Sequence, residues 1–388
     1  MASPRVSNAN GTTSMPRFDN VRHDTVRTGE IGARALLRTG DIKHTLSATA
    51  SAFSLDSCNA YATGSALATN FYRPVGYPSV IPSPGIGGDM GNPRLTATTD
   101  LASYAVADTL VVQDDSVLLT VGLRHQRIRT GGFSNTTGVR TAAYDETANT
   151  PVLDLVYKPV KGVSLCTNYI EALQAGPVAS GTDIDNVGEV FAPYTSEQKE
   201  IGIKYDAGRI GMSAALFTTA QPSAYVVNRR FDVYGEQRNR GLKLSVFGTP
   251  IRGVRLLGSL TLIDAEQKTT AGGINQGKGA IGVPKTQLNL GGEWDVPNVA
   301  GLSLNARALY TASQFSDGAN TKELPSWTRL DLGANYALRI LDRAVTLRAR
   351  VDNVADKNYW ASAGGYPGSG YLVIGAPRTF TLSGTIDF

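Results

Sequence analysis

The final segment of the chain, RTFTLSGTIDF, restricts the possible folds more than any other stretch. Phe380, Leu382, Gly384, Ile386 and Phe388 share one parity, and Thr379, Thr381, Ser383, Thr385 and Asp387 share the other. A β-strand turns successive side chains to opposite faces, so this strand has one oily face and one wet face. A membrane-barrel strand between lipid and a polar lumen satisfies this pattern, and so does the edge strand of a soluble sandwich. The same alternation recurs upstream. In SVLLTVGLRHQ the apolar set is Val117, Leu119, Val121 and Leu123, and in AVTLRARVDN it is Val345, Leu347, Ala349 and Val351. In WTRLDLGANYAL it is Leu330, Leu332, Ala334, Tyr336 and Leu338. The opposite face of these last two strands carries Arg348, Arg350 and Asp352 on one, and Arg329 and Asp331 on the other. Charges in such rows suit a water-filled or plugged lumen better than a sandwich core.

Alternation and turn residues place fifteen strands, at about 29–38, 42–54, 98–112, 116–128, 150–158, 162–170, 197–206, 210–219, 240–249, 253–265, 284–296, 299–313, 327–339, 343–353 and 377–388. The connections between them alternate in length. Short ones fall near 40, 114, 160, 207, 251, 299 and 341. Long ones fall at 55–97, 129–149, 171–196, 220–239, 266–283, 314–326 and 354–376. Short turns at one end and long loops at the other are the pattern of an up-and-down outer-membrane barrel. The reading is therefore all-β: a transmembrane antiparallel barrel over 29–388, preceded by a polar leader or external-loop remnant at 1–28.

Composition agrees. Mean hydropathy is −0.13, and no apolar run reaches the roughly 18 residues of a membrane helix. A net charge of +4 without a basic, aromatic-laced stripe argues against nucleic acid. Cys58, read in a loop, and Cys166, read in a strand, form no CxxC and make a disulfide between them unattractive. His23, His44 and His125 have no partners at metal-ligand or triad spacing, so neither a metal site nor an enzyme is expected. Trp294, Tyr205, Tyr336 and Phe388 sit near strand ends on the oily face, as an aromatic girdle would. Residues 1–20 show no basic start followed by an apolar run. The strand parity places the first strand running away from the long-loop end, as in a chain that begins inside an external loop.

The stretch LRARVDNVADKNYWASAGGYPGSGYLVIGAPRTFTLSGTIDF carries Val351, Asn353, Asp356 and Tyr359, then Gly375, Pro377 and Arg378. With SYAVADTLVVQDDSVLLTVGLRHQRI, PVLDLVYKPVKGVSL, TSEQKEIGIKYD, QRNRGLKLSVFG and GVPKTQLNLGGEWD in order, it resembles the C-terminal part of TonB-dependent ferric-siderophore receptors. The resemblance implies a barrel of about 22 strands, of which about 15–16 are present here. It also implies an N-terminal plug and a TonB box, neither visible in this sequence, and a monomer in the outer membrane of a Gram-negative bacterium. Iron would be carried only as the ferric siderophore, with no resident cofactor, and energy would arrive through TonB. A passive pore or a non-functional receptor remnant is the alternative.

A chelate pocket needs flat aromatic surface and cations. Tyr359, Trp360, Tyr366 and Tyr371 in the last long loop are candidates, against simple loop packing. Tyr225, Arg229, Arg230, Phe231 and Tyr234 in the 220–239 loop form a second set, against a solvated loop. Arg329, Asp331, Arg348, Arg350 and Asp352 either line the lumen as a path or grip the plug, or only hold the wall together by cross-strand pairing.

Overall fold

The computed structural model describes residues 5, 6, 8, 10–70, 73, 75, 87–181, 183–366 and 369–387. One antiparallel sheet of sixteen strands dominates it, with strands adjacent in chain order. A two-residue strand, Arg5–Val6, pairs with Thr13 and Ser14 at one edge. The fifteen long strands are β1 (Thr12–Thr39), β2 (Ile42–Asn70), β3 (Leu95–Val112), β4 (Val117–Phe133), β5 (Arg140–Val160), β6 (Val163–Gln174), β7 (Tyr194–Asp206), β8 (Ile210–Val227), β9 (Arg230–Ile251), β10 (Val254–Thr269), β11 (Thr286–Asp295), β12 (Leu302–Thr311), β13 (Trp327–Ile340), β14 (Arg343–Asp352) and β15 (Thr379–Ile386). Among the described residues the two outermost strands do not pair with each other, so the wall is an open up-and-down sheet.

Register confirms the two faces. Leu290 lies opposite Ala308, Trp294 opposite Leu304, Leu304 opposite Ala334, Tyr336 opposite Leu347, and Ala349 opposite Leu382. The alternate rungs pair Glu293 with Asn305, Ser303 with Asn335, Asn335 with Arg348, and Arg350 with Thr381. Apolar residues thus meet apolar residues across strands, and polar residues meet polar ones. Trp294, Tyr205 and Tyr336 lie on the apolar face, while Phe388 is outside the described residues. His44 also lies on that face, where its Nδ1 sits 2.7 Å from an Asp108 carboxylate oxygen. This pairing of two polar groups on an oily face was not evident from the spacing of either residue.

Several strands outrun their expected limits. β1 and β2 contain 28 and 29 residues, about 90 Å of extended chain, where a tilted span needs about ten residues. Residues 12–28, read as leader or loop remnant, are strand, and His23 pairs with Cys58 within it. Cys58 is therefore in a strand and not a loop, and both cysteines are free. The 220–239 segment is a hairpin of β8 and β9 with a register shift between Asp232 and Gly235, turning at Asn228 and Arg229 with φ of 47° and 66°. Two successive left-handed residues suit the right-handed strand twist, which is the preferred geometry for such tight connections. Leu341 and Asp342 turn β13 into β14 the same way, with φ of 49° and 62°.

The long connections on the β10–β15 side fold into small hairpins. Gln314–Phe315 pairs with Glu323–Leu324, and Trp360–Tyr366 pairs with Ser369–Ile374. Asn320 bonds Gly279 through both its amide groups, and Gln314 donates to the Ala361 carbonyl. Loops 270–285, 314–324 and 360–374 thereby form one cap over this side.

The base of the last loop is clamped. Asn353, 1% exposed with φ 53°, donates to the carbonyls of Lys357 and Ala376 and accepts from the Lys357 N–H. Its side chain ties the start of the loop to its end. Asp356 accepts the Arg378 N–H at 3.1 Å and that residue's guanidinium at 3.2 Å. These two contacts, the backbone bond foremost, hold the Asp356 carboxyl below its ordinary range.

Three outcomes follow. Leu290→Arg, on the apolar face, should cost about 2–4 kcal/mol in denaturant unfolding from liposomes if it lies near mid-membrane, whereas Gln287→Arg on the polar face should cost far less. Asn353→Ala leaves buried backbone groups unpaired, and should cost about 1–3 kcal/mol while raising protease cleavage within 354–376. Asp356 has a depressed pKa, so its contact stabilises the loop above the unfolded carboxyl value and is lost as pH falls through the folded one. The Arg378 amide resonance should therefore titrate only at pH below the ordinary carboxylate range, and not at all in Asp356→Asn.

Candidate functional site

β13 brings Trp327, Arg329 and Asp331 to one face by simple alternation. The Trp327 and Tyr359 rings stack with centroids 4.4 Å apart. Beneath them, the Arg329 guanidinium bonds both Asp331 oxygens, at 2.7 and 2.9 Å, and reaches Asp352 at 3.3 Å. Arg350 completes the group, 2.6 Å from Asp352 and 3.6 Å from Asp331. The Asp331 side chain is 3% exposed and also accepts the Asn353 N–H. A carboxylate this buried is tolerable because two guanidiniums and a backbone donor surround it.

Four of the five expected lumen residues therefore form one ion cluster. Arg348 stands apart, donating to the Thr385 hydroxyl at 2.8 Å. Tyr359 also lies over Gly375, where even a Cβ would collide with the ring. Tyr371, 58% exposed, crosses Gly364 in the terminal hairpin. Trp360 opens that hairpin and is half-buried, and the Tyr366 side chain is outside the described residues.

The second set occupies the β8–β9 tip. Tyr225 and Tyr234 lie with centroids 5.6 Å apart, and Phe231 meets Phe191 edge-on at 5.7 Å. Arg229 pairs with Asp183 at 3.1 Å and with Asp185 at 2.9 Å, and Arg230 approaches Glu189 at 3.5 Å. Asn186 brackets Phe231, donating to its carbonyl and accepting its N–H. Both arginines are thus already matched by carboxylates of the 175–193 connection, and they tether it to the hairpin. Exposed pairs of this kind contribute about 0–1 kcal/mol each, so the tether depends on their number.

The two sets do not merge. β10, β11 and β12 separate β9 from β13 in the sheet. The structure offers two aromatic stations on the long-loop rim, one backed by the ion cluster and one by loop tethers. Sequence reading passed over Trp327, Gln314 and the structural roles of Asn353 and Asp356. The signal for the last two was present: Asn and Asp tolerate the left-handed backbone that both adopt, with φ of 53° and 51°.

Comparison with known proteins agrees with the fold. The TonB dependent receptor-like β-barrel family matches residues 4–354. The ferrichrome receptor FcuA of Yersinia enterocolitica is 35% identical over 396 residues, covering 100% of this chain and 51% of the relative. The crystal structure of BauA, the ferric preacinetobactin receptor of Acinetobacter baumannii, superposes with a TM-score of 0.85 at 33% identity, covering 100% of this chain and 57% of that one. The siderophore receptor PiuA of the same species shares the fold, with a TM-score of 0.76 at 19% identity over 97% of this chain and 57% of PiuA. The chain spans about half the length of the first curated relative. It belongs to the TonB-dependent receptors, and what it folds into is their β-barrel wall.

Proposed function

We propose that this chain is the barrel of an outer-membrane receptor that takes up ferric siderophores with energy from TonB. The long-loop end faces outward and the short turns face the periplasm. Iron enters as cargo inside its chelate, the apolar face meets lipid, and the barrel works as a monomer. The observation that carries this reading is the Trp327–Tyr359 stack, seated directly above the Arg329–Asp331–Arg350–Asp352 cluster on the polar face of the wall.

The chemistry matches such a cargo. A ferric chelate presents flat conjugated or amide-rich surface and an oxygen-rich, often anionic, coordination shell. Aromatic faces take the first and guanidiniums the second. Trp327 and Tyr359 supply the platform, with Trp360 and Tyr371 beside it on the cap, and Tyr225 and Tyr234 form a second contact across the rim. Arg329 and Arg350 are already bonded to carboxylates, so they act as an oriented dipolar floor beneath the platform. The names of the relatives support siderophores as the cargo class: FcuA is a ferrichrome receptor and BauA a ferric preacinetobactin receptor.

The test is tryptophan fluorescence of the folded chain in detergent, titrated with ferric hydroxamates, catecholates and mixed-ligand chelates. At least one chelate should quench the signal saturably. Tyr359→Ala should weaken that chelate by about tenfold, the upper range for one lost aromatic contact, while leaving thermal unfolding nearly unchanged. Absence of saturable quenching by every chelate class would overturn the reading.

A further inference from the structure

A recess of about 1000 Å³ opens at the other end of the wall, among the short turns β3–β4, β5–β6 and β7–β8 and the adjoining end of β9. Lys158, Lys161, Lys204 and Arg209 line it, and among the described residues none of the four is within ion-pair distance of a carboxylate. The carboxylates nearby are largely engaged. Asp115 holds Lys43 at 2.6 Å, and Asp206 accepts the Gly208 N–H at 2.7 Å within its own turn. Among the described residues Asp114 has no hydrogen-bond or ion-pair partner.

The recess sits at the rim, where Val163, Tyr205 and Met212 border it from the apolar face, and its hydroxyl-lined part lies on the polar face. Lys204 shares its parity with Glu200 and Gly202, opposite the apolar row of Ile201, Ile203 and Tyr205. Its rung continues through Ser164 on one side and Ser213 on the other, and Ser213 lies opposite Ser245. On the same face of β7, Asp206 lies two residues from Lys204 with its carboxylate on the Gly208 N–H, and Glu200 is occupied by Lys243 at 2.9 Å. Phe247 lies flat over Gly211 on this face and adds an aromatic floor. Four cations against three lining carboxylates, one of which also holds Lys43, leave a positive margin, and with a row of hydroxyls and one ring they border a space large enough for a metal chelate.

We infer that this recess is a second, exit-side site of the lumen, one that receives a ferric chelate carrying net negative charge. The inference rests on the siderophore-receptor reading and adds the charge class of the cargo and a station on its way out. It favours catecholate or carboxylate chelates, which stay anionic around iron, over neutral trihydroxamates such as ferrichrome.

The experiment is equilibrium dialysis of the full chain, folded in detergent, against radioactive ferric tris-catecholate and, separately, ferrichrome. The anionic chelate should show a salt-sensitive binding component that Lys204→Gln with Arg209→Gln weakens about tenfold, the scale of a lost charge-assisted contact. Lys204→Arg, which keeps the charge, should retain it, and ferrichrome should not respond to the double variant. Equal binding by wild type and double variant overturns the exit site. So does displacement by an equimolar short-chain phosphatidylglycerol, which would make the ligand a lipid headgroup. Tryptophan quenching at the loop-side platform separates the two readings. Its absence with every chelate overturns the receptor reading, whereas its persistence without lysine dependence overturns only the exit site.

Discussion

The backbone hydrogen-bond ladder is the constraint on which the rest of the molecule depends. A chain crossing hydrocarbon must satisfy its N–H and C=O groups internally, and strand-to-strand pairing does so here from β1 to β15. Once the ladder is continuous, a one-residue slip anywhere would swap the oily and wet faces. The rows Leu290–Ala308 and Ala349–Leu382 on one face, and Glu293–Asn305 and Arg350–Thr381 on the other, record a register held across the sheet. The ion cluster follows from the same register. Arg329, Asp331, Arg350 and Asp352 meet because adjacent strands present the same parity at the same height.

Much of this wall was legible because lipid imposes a simple rule on sequence. Where a strand crosses the bilayer, one parity must be apolar, and Val117–Leu123 or Val345–Val351 announces itself. Beyond the bilayer the rule lapses. The outer part of β1, FDNVRHDTVRT (18–28), carries polar residues at both parities, so nothing in its alternation marks it as strand. The β8–β9 hairpin was hidden for the same reason, and its turn at Asn228–Arg229 lacks the glycine that would have signalled it.

The rim residues were legible as types more than as partners. Aromatic and basic residues in long loops can be counted from sequence, but their assignments depend on what faces them. Arg229 and Arg230 look like cargo-binding cations until Asp183, Asp185 and Glu189 are seen across from them. Tyr359 acquires its role from Trp327, which lies 32 residues upstream on a neighbouring strand. Asn353 and Asp356 show the reverse case: a recognisable motif whose physical purpose is to close a loop base.

The wall is uneven in height. β1 and β2 run for 28 and 29 residues, whereas β14 and β15 contain 10 and 8. On the short side the missing height is made up by small hairpins that belong to separate sheets, with Asn353 closing the base of the last loop and Asn320 and Gln314 fastening the loops to one another. Residues in those hairpins can therefore change, lengthen or be exchanged without disturbing the register of any membrane-crossing strand. On the tall side the rim residues of β1 and β2 are extensions of crossing strands, and an insertion within them would shift the register of those strands. Diversification of cargo recognition is thus mechanically decoupled from barrel integrity on one flank and bound to it on the other.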